Sequence, residues 1–142
     1  MPKRVAHARW EGAFKSGSGV IKFGEGAFEG PYSAGSRFEN EKGTNPEELI
    51  GAAHAGCFSM ALAVGLEKAG YPPKDIQTQA EVNIENTGDG FTITNILLST
   101  VATVPGIEAD EFQKQAQSAK ENCPVSRALA GTSIQLKTEL KH

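Results

Sequence analysis

Cysteine is scarce in this chain: there are two, Cys57 and Cys123, and they form no CxxC pair. That excludes a disulfide scaffold, a zinc ribbon and a thioredoxin-type motif. A basic excess is missing too. The 14 Lys and Arg stand against 17 Asp and Glu, a formal charge of −3, so the surface has no general attraction for nucleic-acid phosphates or an anionic membrane. Residues 1–20 contain no continuous apolar run of the secretory kind. No Ser–His–Asp spacing, HExxH, GxGxxG or phosphate-loop pattern occurs, and there are no internal repeats or low-complexity tracts.

What is present is a chain of 142 residues, 39% apolar and 22% charged. At ~100–200 residues per domain this is a single domain, 1–142, and it is long enough to bury a core without staples. Residues 49–66 contain no Asp, Glu, Lys or Arg, which is the lower edge of a membrane-spanning length. Their Gly, Ala, His and Ser content makes transfer to lipid poor, and neither flank carries a positive bias. A buried core helix explains the same pattern. The location this implies is cytoplasmic.

Residues 5–10 alternate loosely, and 20–23 read as a short strand after a Ser-Gly turn at 16–19. Residues 24–45, with Gly24, Gly26, Gly30, Pro31, Gly35 and Gly43, read as a long irregular segment of the kind that is functional or lies across a partner. Thr44-Asn45-Pro46-Glu47-Glu48 is a helix start: a capping residue, Pro at the first position, then two carboxylates at the positive end of the dipole. That helix should run to about Lys68 and stop at Gly70, ahead of Pro72 and Pro73. Apolar residues lie all round it, which predicts a central helix covered on most sides. Two strands follow, 76–85 and 91–104, joined by a turn at 87–90, and a change of phase near 95–97 predicts a bulge. A thinly apolar helix over 107–121, a short helix from Pro124 and a strand over 134–140 complete the order ββ–α–ββ–α–β, an α+β domain.

The two thiols differ in setting. Cys57 lies mid-helix and reads either as a small core residue or as a nucleophile. Cys123 sits just before Pro124, at or next to a helix N-cap, where amide groups favour a thiolate. If the fold brings them together, one thiolate can attack a peroxide and the other resolve it. His54 precedes Cys57 by one helical turn. It can form a thiolate–imidazolium pair, half a metal site, or a purely structural contact. A thiolate on an apolar helix needs a cation, because desolvation raises its pKa. Arg37 is the best candidate, unless it is simply a solvated surface residue. Glu47 and Glu48 can hold that guanidinium, or merely complement the helix dipole.

Taken together, Arg37-Phe38-Glu39, the run from Glu41 through His54-Ala55 to Cys57-Phe58-Ser59-Met60-Ala61-Leu62, and Cys123-Pro124-Val125-Ser126 resemble the OsmC family of thiol peroxidases. Trp10-Glu11-Gly12, Pro31-Tyr32 and Val104-Pro105-Gly106-Ile107 match as well, so the resemblance covers nearly the whole chain. It implies an OsmC-like fold of antiparallel sheets around a central buried helix, in an intertwined homodimer. It implies reduction of organic hydroperoxides, and less efficiently hydrogen peroxide, with Cys57 as peroxidatic thiol and Cys123 as resolving thiol. By the same match Arg37 activates the thiolate and Glu47 holds Arg37. A dithiol reductant, with a lipoyl protein among the candidates, would reopen the disulfide, and no flavin, haem or metal is implied as cofactor. The alkyl part of the substrate would rest on an apolar wall including Phe58 and Met60. Gly56 stands where Ala is more usual in the family, which loosens the helix by ~1 kcal/mol.

Two rival readings remain: a non-catalytic thiol sensor or small-ligand binder on the same fold, and a metal site using His54 and Cys57. Glu47 and Cys57 are also ten residues apart in one expected helix, about 15 Å at ~1.5 Å per residue. Either the helix breaks early, or Glu47 and Arg37 serve a Cys57 on a second chain.

Overall fold

Loose alternation near the N-terminus is enough to form a sheet. In the computed structural model, which describes residues 1–142, β1 (Ala6–Glu11), β2 (Ser18–Phe23) and β3 (Phe28–Tyr32) make an antiparallel sheet in that order. The segment expected to be irregular is therefore ordered: a 3-10 turn at Gly24–Gly26, then β3, then a helix α1 (Ala34–Phe38). Pro31 argued against a strand, yet it sits opposite Val20 on β3, an edge strand, where a missing N–H leaves no ladder bond unmade. Helix α1 is too short to show periodicity. A capping box between Ser33 and Ser36 starts it, with Ser36 N–H donating to Ser33 Oγ at 3.0 Å and Ser33 N–H to Ser36 Oγ at 2.8 Å.

These elements belong to the first of two compact units, Met1–Leu49; the second is Ile50–His142. No apolar side chain among residues 1–49 is buried, and Phe14, Val20, Phe23 and Phe38 are all exposed. Its sheet is held by ring contacts instead, Trp10 on Tyr32 at 5.3 Å and Phe23 stacked on Phe28 at 4.7 Å.

Helix α2 (Pro46–Lys68) is unbroken over 23 residues. Asn45 is its cap, with Oδ1 accepting from Glu48 N–H at 2.8 Å. Gly70, at φ +93°, ends it in the left-handed conformation while Tyr71 N–H returns to Leu66 O at 2.8 Å. The helix buries one stripe: Gly51, His54, Phe58, Leu62 and Leu66. Gly51 permits close approach, since a Cβ there would meet Val82 Cγ2 at 3.3 Å. The opposite stripe, Ala52, Ala53, Gly56, Met60 and Val64, is exposed. Only 28% of the apolar window is buried, so the expected cover on most sides is not supplied within one chain. By length and composition α2 could cross a membrane, but its buried stripe belongs to the core of the second unit.

That core is built on a second sheet, ordered β4 (Asp75–Asn86), β5 (Phe91–Thr103), β6 (Ser133–Lys141). The hairpin β4–β5 is antiparallel, but β6 runs parallel to β5, so this sheet is mixed rather than purely antiparallel. A parallel return needs a long crossover, and α3 (Ala109–Asn122) with α4 (Pro124–Ala128) provides it. The ladder steps from Asn83–Asn95 to Ile84–Ile93, placing the bulge at Thr94, one residue before the expected stretch. Past the bulge Ile96, Leu98, Thr100 and Ala102 are all buried, and Ile96, Leu98 and Ala102 join Phe58, Leu62 and Leu66 of α2 and Phe112, Ala116 and Ala119 of α3 in one cluster.

Leu62 is fully buried in this cluster. Leu62→Ala is expected to lower unfolding free energy by ~2–5 kcal/mol in urea; a loss below about 1 kcal/mol would show that the α2 stripe is not what holds the core.

Candidate functional site

The sequence-predicted residues fall into two pairs, one in each unit. In the first, α1 and the start of α2 hold Arg37 against Glu47. Arg37 Nη2 donates to Glu47 Oε1 at 2.6 Å, and Nε donates to Oε1 at 3.0 Å and Oε2 at 3.2 Å. Glu47 is buried, 6% exposed, while Glu48 is exposed and takes Thr44 Oγ1 at 3.3 Å. Of the two candidate carboxylates, the structure thus selects Glu47. The backbone around the pair is tied by Ser36 Oγ donating to Thr44 O at 2.7 Å and Asn45 Nδ2 to Ser36 O at 3.0 Å. The guanidinium lies 5.3 Å over the Phe38 ring. Beside it Trp10, Phe14, Tyr32, Ser33 and Ala34 shape a groove of about 280 Å³. Of the aromatic members of that groove, Trp10 and Tyr32 stood out in the sequence only as family matches and Phe14 not at all, because the groove gathers three separate stretches of chain.

The second pair is the thiols. Both cysteines are free, and the fold brings them close enough across 66 residues of chain for each to shift the other's ionisation. Cys123 is the N-cap of α4 and accepts from Ser126 N–H at 3.3 Å; Pro124 is the first helical residue. Burial pushes the Cys57 thiol up, the Val125 amide pulls it part of the way back, and the neighbouring Cys123 raises it further. Burial also opposes a Cys123 thiolate. The Ser126 hydroxyl and amide, followed by the Cys57 thiol and the Val125 amide, outweigh it and bring Cys123 below the ordinary thiol range.

His54 is fully buried one turn before Cys57, but its partner is Ser126, with Nε2 to Oγ at 2.7 Å. No three His, Cys, Asp or Glu side chains stand together as metal ligands, so the His54–Cys57 half-site acquires no third ligand of these types. Ser126 is the residue sequence reasoning missed; its position three after the Cys123 N-cap was the available signal. Phe58 has no exposure and sits in the core, so it cannot supply a substrate wall. Met60 is 72% exposed.

With these directions, ultraviolet thiolate titration of the reduced protein is expected to show two steps. The step lost in Cys123→Ser lies below the ordinary thiol value, and denaturant should return it to that value. A Cys123 step at the ordinary value in the folded protein would contradict this arrangement of donors.

A family model described as "OsmC-like protein" matches residues 39–139. The chain is 49% identical to Peroxiredoxin OsmC of Escherichia coli (strain K12), over 97% of this chain and 96% of that protein. It is 32% identical to the organic hydroperoxide resistance protein OhrB of Bacillus subtilis (strain 168), over 72% and 74% of the two chains. Among solved structures, an OsmC-like protein from Mycoplasma pneumoniae aligns with a TM-score of 0.79 over 99% of both chains at 15% identity, a likeness of fold.

Proposed function

The chain belongs to the OsmC family and is a thiol-dependent peroxidase, and from that premise we propose that it reduces organic hydroperoxides, and hydrogen peroxide less well, through a Cys57 sulfenic acid and a Cys57–Cys123 disulfide. The observation that carries this reading is the proximity of two free thiols, on α2 and at the start of α4, close enough to shift each other's ionisation. The Cys57 thiolate attacks the distal peroxide oxygen, the O–O bond breaks, and the alkoxide leaves as an alcohol on taking a proton. The sulfur is now a sulfenic acid. Cys123 attacks it, an S–S bond forms, the S–OH bond breaks, and the hydroxyl leaves as water. A dithiol reductant, such as a lipoyl protein, restores both thiols by exchange.

Within one chain the thiolate is favoured on Cys123, not Cys57. The first step therefore needs a cation at Cys57, and Arg37 is that cation in this reading, with Glu47 orienting it. The unbroken α2 separates Glu47 from Cys57 by ten residues, about 15 Å at ~1.5 Å per residue. So the Arg37 that activates Cys57 belongs to a second copy of the chain. A homodimer also answers two features of the single chain. Residues 1–49 bury no apolar side chain, and α2 exposes Met60 and Val64; a three-stranded sheet needs a covered apolar face to be stable. In this arrangement residues 1–142 act as one OsmC-like domain completed by its partner, and the aromatic groove beside Arg37 receives the alkyl group. The protein works in the cytoplasm, where thiols stay reduced.

Cys57→Ser is expected to abolish peroxide consumption. Cys123→Ser should leave a Cys57 sulfenic acid that a dimedone-type probe traps after one equivalent of peroxide. Substantial dithiol-dependent turnover in Cys57→Ser would sink the assignment.

Arg37→Ala is expected to slow Cys57 oxidation about 100-fold or more, with incomplete rescue by Arg37→Lys. Refolding Arg37→Ala together with Cys57→Ser should restore part of the activity, because one site of each mixed dimer keeps both residues. Activity in a sedimenting monomer, or no recovery in isolated heterodimers, rules out the shared site.

A further inference from the structure

His54 is a fully buried polar side chain that the peroxidase cycle does not use. Its Nε2 lies 2.7 Å from Ser126 Oγ, and Ser126 Oγ lies 3.3 Å from Cys123 Sγ. Its Nδ1 is buried and has no hydrogen-bond partner. Burial also pushes the imidazole pKa down, so the ring is neutral and carries one proton.

The position of that proton follows from the burial. A proton on Nδ1 would bury an N–H with no acceptor, the rarer and costlier defect; a proton on Nε2 leaves only a bare lone pair there. With Nε2–H donating to Ser126 Oγ, the hydroxyl hydrogen is free to point onward to the Cys123 sulfur. We propose that His54 is a positioning residue for the resolving half of the cycle: it orients the Ser126 hydroxyl as a donor to Cys123 and so holds the Cys123 thiolate ready to attack oxidised Cys57. While Cys123 is protonated its S–H can donate to Ser126 Oγ. Once the thiol proton is released to solvent, the chain His54 Nε2–H to Ser126 O–H to sulfur points in one direction. Ser126 N–H donates to the same sulfur at 3.3 Å.

The titratable groups that interact with this chain are Cys57 and His54, both from α2. Of the charged residues nearest Cys123 in its own segment, Glu121 and Arg127 are exposed and Lys120 is half-buried. The Ser126 hydroxyl is the foremost group favouring the Cys123 thiolate, ahead of the Ser126 amide, the Cys57 thiol and the Val125 amide.

The inference deepens the resolving role proposed for Cys123, and its test involves no peroxide. In a Cys57→Ser background Cys123 is the sole thiol, and its titration is read by ultraviolet thiolate absorbance. His54→Leu and Ser126→Ala are each expected to raise the midpoint by about one pH unit. In a Ser126→Ala background, His54→Leu should add nothing further, because it acts through the hydroxyl. His54→Gln, whose amide N–H reaches the same point, should keep the parent midpoint, while His54→Asn, too short to reach, should shift it. That last pair decides the matter if His54→Leu does not fold. Equal midpoints for Gln and Asn, or an unshifted midpoint in a folded His54→Leu, overturn the proposal while leaving the peroxidase reading intact. Turnover surviving Cys57→Ser would do the reverse.

Discussion

Helix α2 has no charged side chain over residues 49–66, so each of its turns has apolar surface to cover, and the second sheet covers one stripe of it. That packing sets the larger unit. Leu62 and Leu66 join Ile96, Leu98 and Ala102 in one cluster, and α3 closes over it with Phe112 and Ala116. Small polar contacts fix the azimuth of the helix: Ser59 and Thr78 hydroxyls meet at 2.7 Å, and Thr78 meets Thr100 at 3.1 Å. With that azimuth set, His54 and Cys57 share the side on which α4 lies.

The chemistry depends on the same constraint through electrostatics. Two neighbouring thiols do not both ionise readily, because like charges at short range disfavour each other. The surrounding donors decide which sulfur ionises first. The Ser126 amide donates to Cys123, the Ser126 hydroxyl and the Cys57 thiol also favour its thiolate, and the Val125 amide acts on both sulfurs. The chain on its own therefore favours the thiolate that the second step of the proposed cycle uses. In that proposal, the partner's guanidinium supplies what the first step lacks. The division gives each half of the cycle its own source of positive potential.

The smaller unit shows the complementary problem. Its sheet has Gly19 and Gly30 buried, while its large apolar side chains stand exposed or half-exposed. Side-chain hydrogen bonds and the Arg37–Glu47 fork organise its end near α2. Polar ties of this kind specify local geometry better than they stabilise a fold, since water competes for each of them.

Sequence alone was sufficient for the long periodic elements and their ends. Asn45-Pro46 and Gly70 bound α2 because capping and left-handed backbone are properties of single residues. The strands of the β4–β5 hairpin, the Cys123 N-cap and the family motif were legible for the same reason: each is written in contiguous residues. Tertiary structure alone decided the rest. Strand β3 escaped because Pro31 and glycines argue against a strand until the edge position is known, and α1 because five residues cannot show a helical period. The choice of Glu47 over Glu48, indicated beforehand only by the family resemblance, has its physical reason in which carboxylate faces inward. The parallel docking of β6, the meeting of Cys57 with Cys123 and the pairing of His54 with Ser126 over 72 positions are long-range contacts. Local propensity carries no information about such contacts, because they are settled by how whole elements pack.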